Sequence, residues 1–297
     1  MAPRQSEHKA EMTVKQPTSV VYTSESSLRH PGALGRAMIT DLMAAVELAR
    51  VLFRRNLRMR HRQSLLGYVW LFLPPVVTTL TWVFLNAAGL LRPQTTTTPY
   101  PLYVLTGTLL WQGFVDALNC PLNQLSSNQP LLSKVSFPRE ALILVGFAEA
   151  LFNFAIRLLL LVVVYAVMRF PVPPTILLVP VGVLALMLFG LMLGLALAPF
   201  GLLFQDVQRG LGIIVSLWYF VTPIVYTPPD TYPFTLIARL NPVTPLLMTT
   251  RDWLTTGVTT QLNGFLLMTL LTGGGILVAW TFLRLAMPHL ITRTLAR

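Results

Sequence analysis

Three ionisable side chains stand inside otherwise apolar runs of this sequence: Asp116, Glu149 and Arg157. Charge in such a place is costly, and its default reading is an ion pathway, a relay or a paired network. Glu149, Asn153 and Arg157 recur at i, i+4 and i+8, which sets them on one helical face. Eight residues of helix rise about 12 Å, so Glu149 and Arg157 do not bond directly along their own helix. A structural network closed through Asn153 is the plainer expectation. A secondary transporter or channel using Asp116, Glu149 and Arg157 is the alternative.

Two further sets carry recognisable chemistry. Arg54, Arg55, Arg58, Arg60 and Arg62 crowd a short segment. The planar guanidinium fork takes phosphate oxygens in pairs, so these side chains suit a lipid pyrophosphate or headgroup. They equally suit topology and contact with anionic lipid. Trp111, Phe114, Trp218, Tyr219, Phe220 and Tyr226 form the aromatic set. Their apolar faces are platforms for sugar rings along a channel, or else pack helices and line a bilayer interface.

Other chemistry is missing. The three lysines, Lys9, Lys15 and Lys134, follow His, Val and Ser, so no P-loop can be built and ATP is not hydrolysed by that route. A lone Cys120 permits no internal disulfide, and His8, His30, His61 and His289 show no ligand spacing. No Ser–His or Cys–His arrangement sits at membrane depth. The chain is therefore expected to be no enzyme and to hold no metal and no cofactor of its own.

The elements that must position these residues are apolar. Of 297 residues 54% are hydrophobic and 11% charged, against about 25% charged in a soluble domain. The net charge of +11 is spread as topology demands, with half of the Lys and Arg before Leu65, so nucleic acid is not indicated. Residues 1–40 are polar, without periodicity, and are expected to form a disordered cytoplasmic tail. Residues 41–62 predict an amphipathic interfacial helix, with Leu42, Val46, Ala49, Phe53 and Leu57 on its apolar stripe.

Six spans are expected at residues 65–91, 102–122, 141–168, 175–203, 210–226 and 261–285, with both termini inside. The first holds Pro74 and Pro75, which predict a kink or a broken start. The fourth holds Gly182, Gly190, Gly194 and Gly201, small residues that let helices approach. Residues 123–140 form the longest polar break, with room for one short helix. Residues 204–209 are expected to be a short inner loop. Residues 227–260 carry five prolines between apolar runs too short to span, and predict two short re-entrant helices on the outer side. The fold class is thus an all-α integral membrane protein, with residues 41–297 as one domain.

Six segments, in order, carry a resemblance. They are LFRRNLRMRHRQSLLGYVWLFLPP; PLYVLTGTLLWQGFVDAL with Gly107 and Trp111; NQPLLSKVSFPRE with Lys134 and Phe137-Pro138-Arg139; FQDV; Thr222-Pro223-Ile224-Val225-Tyr226; and LNPVTPLLMTTRDWL with Asn241, Pro242 and Arg251. The chain resembles the permease subunit of polysaccharide-exporting ABC transporters, the type 2 family that exports O-antigen, capsule and teichoic acid chains. The resemblance covers about residues 45–290. One departure stands in FQDV, where Gln205 replaces the usual Arg.

The resemblance implies a homodimer in the bacterial cytoplasmic (inner) membrane, enclosing a channel for a lipid-linked glycan. It also implies two copies of a separate ABC ATPase, which hold the ATP and Mg²⁺. A coupling helix would lie in the 123–140 break and meet the ATPase through Gln124, Leu125, Ser126, Ser127, Asn128, Leu131, Leu132 and Lys134. Residues 227–260 would be the periplasmic gate segment.

Overall fold

The computed structural model describes residues 31–60, 67–90, 97–128, 139–228 and 232–295. Among the described residues the chain is helical throughout, without a strand. We number the helices α1 (Pro31–Arg60), α2 (Val69–Ala87), α3 (Tyr100–Ser127), α4 (Glu140–Met168), α5 (Val179–Leu203), α6 (Gln205–Val221), α7 (Phe234–Leu240), α8 (Val243–Thr255) and α9 (Leu262–Leu295). A 3-10 turn, Pro174–Leu178, leads into α5. Among the described residues, four segments are long and apolar enough to cross a membrane: Val69–Ala87, Glu140–Met168, Pro174–Leu203 and Leu262–Met287. α3 has the length, at 28 residues, but carries Gln112, Asp116, Asn119 and Asn123. α6 is short for a span at 17 residues.

Several boundaries differ from the expectation, each for a local reason. α1 starts at Pro31, inside the segment expected to be tail, because proline at a first helical position gives up an N–H that has no partner there anyway. Residues 1–30 and 61–66 lie outside the described residues. α2 runs through both Pro74 and Pro75 without ending. α3 continues five residues past the expected end, so 123–127 are helix and not loop. The expected inner loop at 204–209 shrinks to Phe204, in extended conformation, before α6 starts at Gln205 with Asp206 in its first turn. A carboxylate there complements the positive end of the helix dipole. α6 then stops at Val221, because Thr222 precedes a proline and is pushed out of the helical region, to φ −87° and ψ 135°. Two short helices, α7 and α8, do form between 227 and 260, and α9 runs ten residues beyond the expected end of the last span.

α3 is the centre. It packs against α5 and α4, and more lightly against α2, α8 and α6. Hydrophobicity alone cannot drive helices together in a medium as apolar as they are, so close packing must do it. The α5 glycines make that packing possible. A Cβ on Gly190 would lie 2.5 Å from the Phe114 carbonyl oxygen, and one on Gly194 would lie 2.3 Å from that of Leu118. The α3 residues facing this seam, Phe114, Leu118 and Leu122, are buried.

α1 packs against α4. Phe53 meets Phe152 edge-on at 6.0 Å, and Asn56 reaches Glu149. Its protein-facing stripe is shifted from the expected one, with Ala45, Leu48 and Leu52 joining Leu42, Ala49, Phe53 and Leu57. Ala45 and Ala49 are buried, whereas Val46 is 45% exposed. Small side chains let α1 sit close on α4, which turns the larger Val46 outward.

Substituting Gly194→Val should part α3 from α5 and lower stability by about 1–3 kcal/mol, the usual range for overpacking. A thermal-unfolding midpoint in detergent checks this. Gly273→Val, where nothing lies within 4 Å of an added Cβ, should leave the midpoint nearly unchanged.

Candidate functional site

The intramembrane charges are met from other helices. Arg157 Nη1 on α4 donates to Asp116 Oδ2 on α3 at 2.6 Å, with the two side chains 10% and 30% exposed. Glu149 accepts from Asn56 Nδ2 of α1 at 2.8 Å and from Gln124 Nε2 of α3 at 3.4 Å. Asn153 is buried between them on α4. Periodicity placed Glu149, Asn153 and Arg157 on one helix, but it carries no information about which neighbouring helix supplies a partner.

A further ionic group was not singled out by its sequence. Arg284 on α9 pairs with Asp41 of α1, and its Nη1 lies 3.7 Å from Glu140 Oε1 at the start of α4. Trp280 Nε1 donates to the same Glu140 oxygen at 3.4 Å. Trp280 and Arg284 stand at i and i+4, the one available signal, but their partners lie 140 and 243 residues away.

Arg54, Arg55 and Arg58 are exposed on α1, and Arg55 Nη2 donates to Asn56 Oδ1 at 3.3 Å. The side chain of Arg60, and all of Arg62, lie outside the described residues. Among the expected coupling residues, Gln124, Leu125, Ser126 and Ser127 form the last turn of α3. Leu125 is fully buried, and Ser126 Oγ accepts from Gln208 Nε2 of α6 at 3.3 Å. Asn128 Nδ2 donates to the Gln124 carbonyl oxygen at 2.8 Å. Leu131, Leu132 and Lys134 fall outside the described residues.

The aromatic set divides. Trp111 and Phe114 are buried inside the chain, with ring centroids 5.1 Å apart. Trp218 meets Phe114 edge-on at 5.6 Å and Trp111 at 6.1 Å, and Tyr219 meets Trp111 at 6.0 Å. Such edge-to-face pairs are helix packing between α3 and α6. Phe220, 60% exposed, stands at the surface beside Trp82. The Tyr226 hydroxyl donates to the Phe220 and Val221 carbonyl oxygens at 2.9 and 3.1 Å, closing the turn after α6.

Around the turn after α6, residues noted in the sequence only as motif members form one knot. Asn241 Oδ1 accepts from Trp218 Nε1 at 3.0 Å and from the Val243 N–H at 3.1 Å. Its Nδ2 donates to Thr222 Oγ1 at 2.9 Å. A side chain that accepts two bonds and donates one, each to a different element, leaves little room for substitution. Arg251 of α8, 2% exposed, donates to the Ile224 carbonyl oxygen at 2.8 Å and lies 4.0 Å over the Tyr103 ring. Gly107 provides the space, since a Cβ there would lie 2.3 Å from Arg251 Nη2. Beside it, burial raises the Asp252 carboxyl above its ordinary range, while hydrogen bonds from Thr260 and the Arg251 charge pull the other way.

Known proteins share this sequence pattern. The profile of the ABC-2 type transporter family matches residues 47–254. The chain is 31% identical over 201 residues to the O-antigen export system permease protein RfbA of Myxococcus xanthus, covering 66% of this chain and 75% of that protein. It is 24% identical over 211 residues to the Klebsiella pneumoniae protein of the same description, covering 69% and 79%.

Removing one member of the Asp116–Arg157 pair leaves a buried cation alone. Asp116→Ala should destabilise the fold by about 2–3 kcal/mol, at or below the low end for a buried pair because Asp116 is partly exposed. The double variant Asp116→Ala/Arg157→Leu should recover most of that loss. Unfolding midpoints of the two single variants and the double variant give the coupling directly.

Proposed function

The chain belongs to the ABC-2 type transporter family, and from that premise we propose that it is the permease subunit of an ATP-driven exporter of a lipid-linked polysaccharide. The observation that carries this reading is the match to permeases named for O-antigen export, along about two thirds of the chain. An O-antigen-like chain is the first candidate cargo, with capsule and teichoic-acid-like chains in the same chemical class. Membrane subunits of this family are transport components, so ATP and Mg²⁺ belong to a separate ATPase, consistent with lysines that build no P-loop.

In this reading α2, α3, α4, α5, α6 and α9 are the six spans, and α7 and α8 are re-entrant gate helices on the periplasmic side. Both termini are cytoplasmic in the inner membrane, as the basic N-terminal third requires. Two copies form the exporter. Support for a second copy comes from apolar faces on α2 and α6, where Leu80, Phe84, Ile213 and Leu217 are 62%, 70%, 65% and 64% exposed.

Support for a polar conduit comes from α3. Gln112, Asp116 and Asn119 are partly exposed and Asn123 is exposed, at i, i+4, i+7 and i+11 on one face of a helix that is buried over most of its length. Amide and carboxylate groups in such a stripe suit a hydroxyl-rich chain. Arg54, Arg55 and Arg58, open on α1, suit the pyrophosphate of its lipid carrier. The end of α3 at 124–128, with the following residues 129–138, is the segment offered to the ATPase.

Two substitutions test the assignment in the complete exporter. Ser127→Glu at the end of α3 should lower export per ATP hydrolysed by about tenfold, as expected for a loss near 1.4 kcal/mol in coupling. The triple change of Arg54, Arg55 and Arg58 to Gln should abolish stimulation of ATP hydrolysis by an isoprenyl pyrophosphate without preventing assembly. Unchanged stimulation in the triple variant would leave these arginines with topology alone.

A further inference from the structure

We infer that Glu149 is a positioning residue that joins the arginine-bearing helix α1 to the coupling end of α3, so that cargo held at one is felt at the other. This inference rests on the exporter reading above. It is carried by an unbroken line of side-chain hydrogen bonds. Arg55 Nη2 donates to Asn56 Oδ1 at 3.3 Å, and Asn56 Nδ2 donates to Glu149 Oε1 at 2.8 Å. From the other side, Asn128 Nδ2 donates to Gln124 Oε1 at 3.4 Å, and Gln124 Nε2 donates to Glu149 Oε2 at 3.4 Å. Both arms end on the same carboxylate.

The directions of these bonds explain why a carboxylate stands there. The Asn56 oxygen is taken by Arg55, so only its amide nitrogen is left for Glu149. The Gln124 oxygen is likewise taken by Asn128. Two donors from two helices therefore converge, and the carboxylate accepts one on each oxygen. The arms are unequal. The 2.8 Å bond ties Glu149 to α1, whereas the 3.4 Å bonds to α3 sit near the limit of a hydrogen bond. The α3 arm is thus the one that a displacement of the coupling segment would make or break.

The backbone is shaped for this arm. Gly146 stands one turn before Glu149, and a Cβ there would lie 2.6 Å from Gln124 Cγ. Gly146 makes the space through which Gln124 reaches the carboxylate. The Asp41–Arg284–Glu140 group holds α1 to α4 and α9 independently, fifteen residues before Asn56, so the Glu149 joint is not needed merely to keep α1 in place.

The test uses the permease with its ATPase in proteoliposomes and farnesyl pyrophosphate as probe, with inorganic pyrophosphate as control. The wild type should hydrolyse ATP faster with the farnesyl probe. Glu149→Gln presents one donor to two donors, and should lower that stimulation by about tenfold while basal hydrolysis stays near wild type. Gly146→Ala, which displaces Gln124 and leaves the carboxylate untouched, should do the same. Adding Asn56→Asp to Glu149→Gln reverses the polarity of the α1 arm and should restore part of the stimulation.

Full stimulation in Glu149→Gln would overturn the joint and leave the exporter reading intact. Parallel loss of basal and stimulated hydrolysis, with a lowered unfolding midpoint and no rescue by Asn56→Asp, would reduce Glu149 to a structural role and also overturn it. A wild type that the farnesyl probe does not stimulate would overturn the lipid-pyrophosphate part of the exporter reading, and the joint with it.

Discussion

An ionised side chain in an apolar bundle is tolerable only beside a partner, and in this chain the partners come from other helices. Asp116 and Arg157 bind α3 to α4 at 2.6 Å. Glu149 gathers α1 and the end of α3 onto α4. Arg284 gathers α1 and the start of α4 onto α9. Each group fixes the register of two or three helices, because sliding one turn along a neighbour would strand a charge. Such groups are weak sources of net stability. Their effect is on which arrangement of equally apolar helices is the lowest.

The glycine seam between α3 and α5 complements this. Dispersion between closely packed surfaces supplies attraction that lipid does not already provide, and Gly190 and Gly194 bring α5 to within contact of the α3 backbone. Beyond that seam one end of the bundle is tied by Asn241 and Arg251, which together connect α3, α6, α8 and the turn at 222–226. α3 is thus tied by polar groups near both ends. Helix α1, with Arg54, Arg55 and Arg58 exposed, is joined to the bundle through two separate polar groups.

Much of this was legible in the sequence. Composition gave the class, and the glycines at 182, 190, 194 and 201 marked a close-packed helix. The five prolines within residues 227–260 marked two short helices where two are found. Helix ends were less legible. Gln205 and Asp206 read as loop because they are polar, but they form the first turn of α6, a favourable place for the Asp206 carboxylate. Partnership was not legible at all. Asp116 finds Arg157 across 41 residues, and Glu149 finds Asn56 across 93. Trp111 and Phe114 illustrate the same gap, since an aromatic residue near a polar stripe can face it or face away, and these two face the core.

The joint at Glu149 gives the arginine-rich helix a mechanical place in an exporter as well as a chemical one. Cargo would bind on α1, ATP would act at the end of α3, and one carboxylate on α4 lies between them. All of this depends on export being driven by a partner ATPase. The most direct measurement is the appearance of glycan inside inverted-orientation proteoliposomes containing the permease alone, the permease with its ATPase, and the pair with a hydrolysis-deficient ATPase. The account predicts uptake from the complete pair with ATP and none from the other two. Movement by the permease alone, driven by an ion gradient, would contradict it.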